Sequence, residues 1–417
     1  MESPVTKTTA SKPYPDFHVI SKPFGPICNL DCHYCFYLEK ENLYPKTAKW
    51  TMPAETLESF IRQYIAAQSG DSVTFTWQGG EPTLAGLPFF ERIIAWQEQY
   101  AKGKRIENAL QTNAVLIDDR WAEFLAKHKF LVGVSLDGPQ ELHDRYRVYK
   151  GGRSSFPDTL RGLRCLQKQA VEFNTLTVVN RTNSYQPLPV YQFLKEVGSK
   201  YMQFLPVVER RAKEVPADHL SLVHAKFAGD AEVTEWSVEP LQYGRFLCEI
   251  FDNWVRNDVA KYFVQIFDVS LGSWLGLTPA LCVFRETCGG AMAIEHNGDL
   301  YSCDHFVYPE HLLGNILEKP LDALVQSDQQ VRFGNAKRDT LPKYCRDCEV
   351  RFACHGECPK HRFINTPDGE PGLNYLCAGY KLFFKHIDPY MNFMAKELLA
   401  KRSPANIMPL ARANKIS

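Results

Sequence analysis

The 417-residue sequence has no net charge, since 48 basic side chains are matched by 48 acidic ones. A dedicated nucleic-acid binder carries a basic excess, so the balance argues against that class and leaves only a local basic patch open. No run approaches the roughly 18 apolar residues of a membrane-spanning helix. The N-terminal stretch MESPVTKTTASKPYPDF lacks the apolar segment of a secretory signal. Low-complexity tracts are absent as well. Together these absences predict a cytoplasmic protein with no membrane and no nucleic-acid partner. Thiols stay reduced in that compartment, so the thirteen cysteines do not imply a disulfide framework. A composition of 45% hydrophobic and 23% charged residues excludes wholesale disorder.

The cysteines that are present are unevenly spread. Cys28, Cys32 and Cys35 fall within eight residues, and eight more lie from Cys282 to Cys377. Clustered thiols in a reducing compartment point to metal or redox chemistry. Only Cys165 and Cys248 stand apart. Both sit in helical patterns, where a small core hydrophobe is the simpler role.

From Phe17 to Val208 strand-like and helix-like segments alternate as βα units require. The predicted strands are Phe17–Ile20, Ser72–Trp77, Ile106–Thr112, Phe130–Leu136, Phe173–Val179 and Tyr201–Val208. Between them, Leu57, Phe60, Ile61, Tyr64 and Ile65 form a helical stripe, and a shorter one ends at Gly198, a C-cap. Six such units imply parallel strands, in an α/β barrel or an open doubly wound sheet. Residues 209–240 lose the rhythm and read as a connector. An amphipathic helix with Leu247, Ile250, Phe251, Trp254 and Val255 on one face follows. From Cys282 to Cys377 periodicity is scarce, which suggests a small domain with a core provided by metal. Tyr380–Arg402 reads as a surface helix packed on the body.

The segment Cys28-Asn-Leu-Asp-Cys32-His-Tyr-Cys35 directly follows the first strand. Three thiolates on one loop can hold three irons of a cubane and leave the fourth open to a substrate. A structural zinc site is the alternative, with His33 as an awkward fourth ligand. The next strands end in Gln78-Gly79-Gly80-Glu81-Pro82, Gln111-Thr112-Asn113 and Ser135-Leu136-Asp137-Gly138. Each is weak evidence alone, but all four clusters lie at C-terminal strand ends, where α/β barrels place their sites. The glycine pair lets backbone approach a ligand, and Glu81 offers a carboxylate to an amine.

The Cys-x3-Cys-x2-Cys loop, the Gly-Gly-Glu-Pro segment and six βα units resemble the radical S-adenosylmethionine (SAM) superfamily. The resemblance implies an α/β fold, a partial (β/α)6 TIM-type barrel, whose [4Fe–4S] cluster binds SAM. Cys28, Cys32 and Cys35 would ligate that cluster, and Tyr34 would lie near the adenine. Gln78, Gly79, Gly80 and Glu81 would form the segment contacting the methionine amine. Ser135 and Arg147 would bind the ribose and carboxylate end, although Arg147 also reads as a solvated loop charge. The sixth strand, through Val208, would flank the adenine.

The eight later thiols, Cys282-x5-Cys288, Cys303, Cys345-x2-Cys348-x5-Cys354-x3-Cys358 and Cys377, divide into two four-ligand sites, for which zinc is again one reading. Their spacing resembles the SPASM domain, a C-terminal Cys-rich extension with two auxiliary Fe–S clusters. That resemblance implies interleaved sets, Cys282, Cys288, Cys303 and Cys358 for one, and Cys345, Cys348, Cys354 and Cys377 for the other, three [4Fe–4S] clusters in all. The expected organisation is a flexible 1–15, a barrel at 16–240, a helical connector at 241–275, the SPASM domain at 276–380 and a helical tail at 381–417.

The segments CNLDCHYCFYL (28–38), TWQGGEPTL (76–84), SLDGP (135–139), NGDLYSCDH (297–305) and CPKHRF (358–363) are similar to those of anaerobic sulfatase-maturating enzymes. The implied activity is oxidation of a cysteine or serine in a sulfatase to Cα-formylglycine. A 5′-deoxyadenosyl radical would take hydrogen from Cβ, an auxiliary cluster would take the electron, and Asp304 would take the proton. The alternatives are His305 as base, with Asp304 a solvated turn residue. Tyr37 would orient the target side chain. The implied partners are a sulfatase polypeptide and an external electron donor of flavodoxin or ferredoxin type. Two rival readings are another peptide-modifying SPASM enzyme and a zinc-bound regulator of sulfatase expression. Only 27 residues precede Cys28, which leaves little room for the peptide-recognition domain of the first rival.

Overall fold

The computed structural model describes residue 14, residues 16–214 and residues 219–416. Of the segment expected to be flexible, 1–13 and 15 lie outside the described residues. Tyr14 within it exchanges backbone and side-chain hydrogen bonds with Gln326.

Six strands, β1 (His18–Ser21), β2 (Ser72–Trp77), β3 (Arg105–Thr112), β4 (Leu131–Ser135), β5 (Phe173–Val179) and β6 (Tyr201–Pro206), lie side by side in chain order, all parallel. A doubly wound sheet reverses its order at a switch point. This order never reverses, which selects the barrel-type alternative. The crossovers carry α1 (Ala54–Ala67), α2 (Leu87–Tyr100), α3 (Asp119–Lys127), the short α4 (Gln140–Asp144), α5 (Phe156–Lys168) and α6 (Pro187–Glu196). The stripe Leu57, Phe60, Ile61, Tyr64 and Ile65 is wholly buried on α1, and Gly198 takes φ +83° just after α6. Cys165 and Cys248 are both packed partly buried against the core.

β6 stops at Pro206, two residues before the expected Val208, where its partner β5 ends: Val179 pairs with Pro206, and Val207 N makes the last bond, to Val179 O at 3.0 Å. The connector at 209–240 contains a hairpin of β7 (Arg210–Ala212) and β8 (Ala231–Val233). Beyond it lie α7 (Pro240–Asn257), β9 (Phe263–Val264), which adds in parallel to β6, and α8 (Gln265–Trp274).

The cysteine-rich region departs from the expectation of a separate, metal-cored domain. Its strand β10 (Ala291–Ile294) pairs in parallel with the free edge of β1, from His18 opposite Ala291 to Ser21 opposite Ile294. The antiparallel β11 (Asp299–Tyr301) and β12 (Leu312–Asn315) follow, giving a ten-stranded sheet. Met292, Ile294 and Leu300 thereby join the same apolar core as the barrel. Covering the exposed edge of β1 is the physical reason: an unpaired edge leaves backbone groups unsatisfied. A small ladder, β13 (Arg362–Asn365) with β14 (Pro371–Asn374), stands apart from that sheet.

The last long helix, Cys377–Leu399, is no surface appendage. It buries Tyr380, Phe383, Phe384, Ile387, Met391 and Met394. It approaches α7 closely because glycines face each other: a Cβ on Gly379 would lie 2.0 Å from Pro240 O, and one on Gly244 2.5 Å from Gly379 O. No helix among the described residues is long and apolar enough to cross a membrane. Gly379→Ala should force these helices apart at a cost of about 1–3 kcal/mol. A lowered thermal midpoint by circular dichroism is expected, and an unchanged midpoint would contradict this contact.

Candidate active site

The loop after β1 is shaped by the segment after β2. Gln78 N donates to Ser21 O at 2.9 Å, Gly80 N to Gly25 O at 2.8 Å and Glu81 N to Ile27 O at 2.9 Å. A Cβ on Gly80 would stand 2.1 Å from Ile27 O, and Gly79 has φ +141°. Both glycines are thus required by the cysteine loop itself. Glu81 is fully buried and absent from the cavity lining. Its carboxylate accepts from Thr83 N, Thr83 Oγ1, Thr112 Oγ1 and Asn113 N, which staples the end of β2 to the end of β3. Gln78, Gly79 and Gly80 are the part of the segment that faces the cavity.

That cavity, of about 350 Å³, lies over the C-terminal ends of the strands and is bordered by Cys28, Cys32 and Cys35. On the barrel side, the Tyr34 hydroxyl donates to Asp137 Oδ2, and Arg147 Nε lies 3.1 Å from the same oxygen. Val178 N donates to the other oxygen at 2.9 Å. The guanidinium also sits 5.5 Å from the Tyr34 ring centre. Burial opposes the charge of Arg147, but the Asp137 carboxylate outweighs it. Arg147 is therefore a buried ion-pair partner, and the solvated-loop reading does not hold. Ser135 Oγ accepts from Gln111 Nε2 at 3.0 Å on the same wall. Val208 is buried in the core and does not line the cavity, whereas Phe204, Leu205, Pro206 and Val207 do.

On the opposite side, Asp304 pairs with Lys22, a lysine with only 1% side-chain exposure. Burial pushes the Asp304 carboxyl up, but the Lys22 ammonium pulls it below the ordinary aspartate value. This is not a solvated turn aspartate. His305 is pushed down to about 3 by burial and then by Lys360, and its Nδ1 lies 3.9 Å from Cys358 Sγ. It is a neutral imidazole. The Tyr37 hydroxyl donates to buried Glu295, and the Lys22 ammonium lies 4.1 Å over the Tyr37 ring. Lys360 and Glu209 close the site as a third buried ion pair. Sequence reasoning missed Lys22, Asp137, Glu209 and Lys360 as site residues. A signal existed for Lys22, which follows the first strand, for Asp137, which lies within SLDGP, and for Lys360, which lies within CPKHRF; for Glu209 there was none.

Burial pushes the Cys28 thiol up to about 12, and Cys32 and Cys35 upward as well. Such thiols do not ionise alone at neutral pH, whereas a bound iron deprotonates each outright. Cys345, Cys348, Cys354 and Cys377 line one small pocket. Beyond burial, Cys282 and Cys288 raise the Cys303 thiol, and Cys303 and Cys288 raise the Cys358 thiol, which places the four near one another. No three His, Cys, Asp or Glu side chains among the described residues converge as a single-ion site.

The Radical SAM superfamily matches residues 23–193, and SPASM, an iron-sulfur cluster-binding domain, matches 282–349. The chain is 48% identical to a serine-type anaerobic sulfatase-maturating enzyme of Bacteroides thetaiotaomicron, over 96% of this chain and 97% of that one. It is 32% identical to a cysteine-type enzyme of Clostridium perfringens, over 92% of this chain and 100% of the relative. A solved structure of native anSMEcpe with bound AdoMet and Cp18Cys peptide superposes with a TM-score of 0.79 at 31% identity, covering 91% of this chain and 99% of that one.

Gly80→Ala should displace the loop that carries Cys28 and remove about four irons per chain. Iron analysis of anaerobically purified protein checks this; undiminished iron would show that the loop tolerates the side chain.

Proposed function

The chain belongs to the anaerobic sulfatase-maturating enzymes, radical SAM oxidoreductases that convert a cysteine or serine of a sulfatase to Cα-formylglycine, and on that premise we propose that its target is a serine. The observation that carries the choice is the identity of 48% with a serine-type relative against 32% with a cysteine-type one. Its cofactors are [4Fe–4S] clusters and SAM. Three clusters account for eleven cysteines: Cys28, Cys32 and Cys35 in the barrel, Cys282, Cys288, Cys303 and Cys358 beside the cavity, and Cys345, Cys348, Cys354 and Cys377 beyond it. When bound, SAM on the reduced barrel cluster supplies hydrogen-atom abstraction at carbon.

The residues of this chain do the rest. Gln78, Gly79 and Gly80 present backbone and an amide to the methionine end of SAM. Tyr34, Ser135 and Arg147 hold its ribose, adenine and carboxylate, with Asp137 fixing Tyr34 and Arg147 in place. Phe204, Leu205 and Val207 flank the adenine and keep water out. Asp304 takes the proton from the target Oγ as the aldehyde forms, and Lys22 keeps its carboxylate ionised and aimed. Tyr37, anchored by Glu295, orients the target side chain. The electron donor is a flavodoxin- or ferredoxin-type protein, and the compartment is the cytoplasm.

Anaerobic incubation with SAM, a reductant and paired peptides bearing Ser-x-Pro-x-Arg or Cys-x-Pro-x-Arg tests the target. The serine peptide should lose two hydrogens with release of 5′-deoxyadenosine; turnover of the cysteine peptide alone would overturn the serine assignment. Asp304→Asn should retain deoxyadenosine formation and lower the aldehyde yield about 100-fold or more, the scale of general-base catalysis. Full aldehyde yield would remove Asp304 from this role. A brown protein with about twelve irons per chain is expected.

A further inference from the structure

Between Cys354 of the outer set and Cys358 of the inner set lie only three residues. His355, Gly356 and Glu357 have φ of +47°, +73° and +52°. Three successive left-handed residues, two of them not glycine, form only where the surroundings hold them. One side chain reaches all three of their carbonyls, and Asn374 Nδ2 adds a 3.4 Å contact to Gly356 O. Arg362 Nε donates to Gly356 O at 2.9 Å, and its Nη2 donates to His355 O at 2.8 Å and to Glu357 O at 3.3 Å. The remaining nitrogen donates to Lys337 O at 2.6 Å. Every carbonyl of the link between the two thiol sets therefore converges on one buried guanidinium.

This cation has no ion-pair partner among the described residues. The nearby Glu357 carboxylate is taken by His361 Nδ1 at 2.9 Å and Asn374 Nδ2 at 2.6 Å. Burial disfavours the charge of Arg362, while Cys345, the Glu357 carboxylate, Cys358 and Cys288 favour it, so positions of both thiol sets lie within its reach. Lys337, itself buried and bonded only to the carbonyls of Cys282 and Val283, adds a second cation on the inner side. Two buried cations thus share the single carboxylate of Glu357, which leaves an excess of positive charge that a nearby anion would balance. A [4Fe–4S] centre on four thiolates is such an anion, more negative when reduced, and hydrogen bonds and charge around a cluster set its potential.

We propose that Arg362 is a positioning residue for electron transfer, clamping the His355–Glu357 link to fix the spacing of the two auxiliary clusters and favouring the reduced state of both with its charge. The inference rests on the assignment of both four-cysteine sets to clusters. One electron moves between the clusters, one oxidised as the other is reduced, with no bond made or broken.

The test is an EPR-monitored redox titration of the reconstituted full-length protein, with iron analysis, for wild type, Arg362→Gln and Arg362→Lys. A wild type lacking either auxiliary cluster would overturn the cluster assignment itself, independently of Arg362. Given both clusters, Arg362→Gln should disfavour reduction of each about tenfold, about 59 mV for one electron, and Arg362→Lys should restore most of it. Iron lost in the glutamine variant but kept in the lysine variant also supports the charge. Unchanged midpoints, a shift in one cluster alone, or iron lost equally in both variants would overturn the proposal.

Discussion

The parallel pairing of β1 with β10 is the constraint on which the site depends. The loop leaving β1 carries Cys28, Cys32 and Cys35, and the chain leaving β10 and β11 reaches Cys303 and Asp304 within a few residues. Backbone hydrogen bonds between these two strands fix the Cys28–Cys35 loop relative to Cys303 and Asp304. The Lys22–Asp304 ion pair then ties the two strand exits together side chain to side chain. Positional tolerance in such chemistry is about an ångström, and a sheet edge supplies it where a flexible interdomain contact could not.

Charge in the site is arranged as closed pairs. Arg147 with Asp137, Lys22 with Asp304 and Lys360 with Glu209 each bring one cation and one anion out of water. Buried pairs add little net stability, but losing one partner costs about 3–5 kcal/mol, so each is held as a unit. Asp137 illustrates the consequence. It touches two of the expected SAM-binding side chains while standing outside the cavity lining, so its contribution is the orientation of Tyr34 and Arg147.

Most of the barrel was legible in sequence because its determinants are local. Alternation and helical stripes located six strands to within a few residues, and the cysteine spacing identified the chemistry. The edge pairing of β10 was not legible, since nothing in AMAI distinguishes joining a distant parallel strand from forming a local hairpin. Glu81 shows a subtler failure. A carboxylate beside two glycines at a strand end reads as a ligand contact, yet four nearby donors claim it first. The sequence carries the residue type, and only the fold reveals which partners reach it. The same holds for Val208, which lies beyond the end of β5 and packs into the core.

The β1–β10 pairing also dictates an order of events during synthesis. His18 meets Ala291 across roughly 270 residues of chain, a stretch that takes on the order of tens of seconds to translate. Throughout that interval the strand bearing the first cysteine loop has a bare edge, and the wall formed by Asp304 does not exist. A cluster inserted early would sit in a half-built pocket open to water and oxidants. The sheet around its earliest strand is therefore complete only once the late strands have been made.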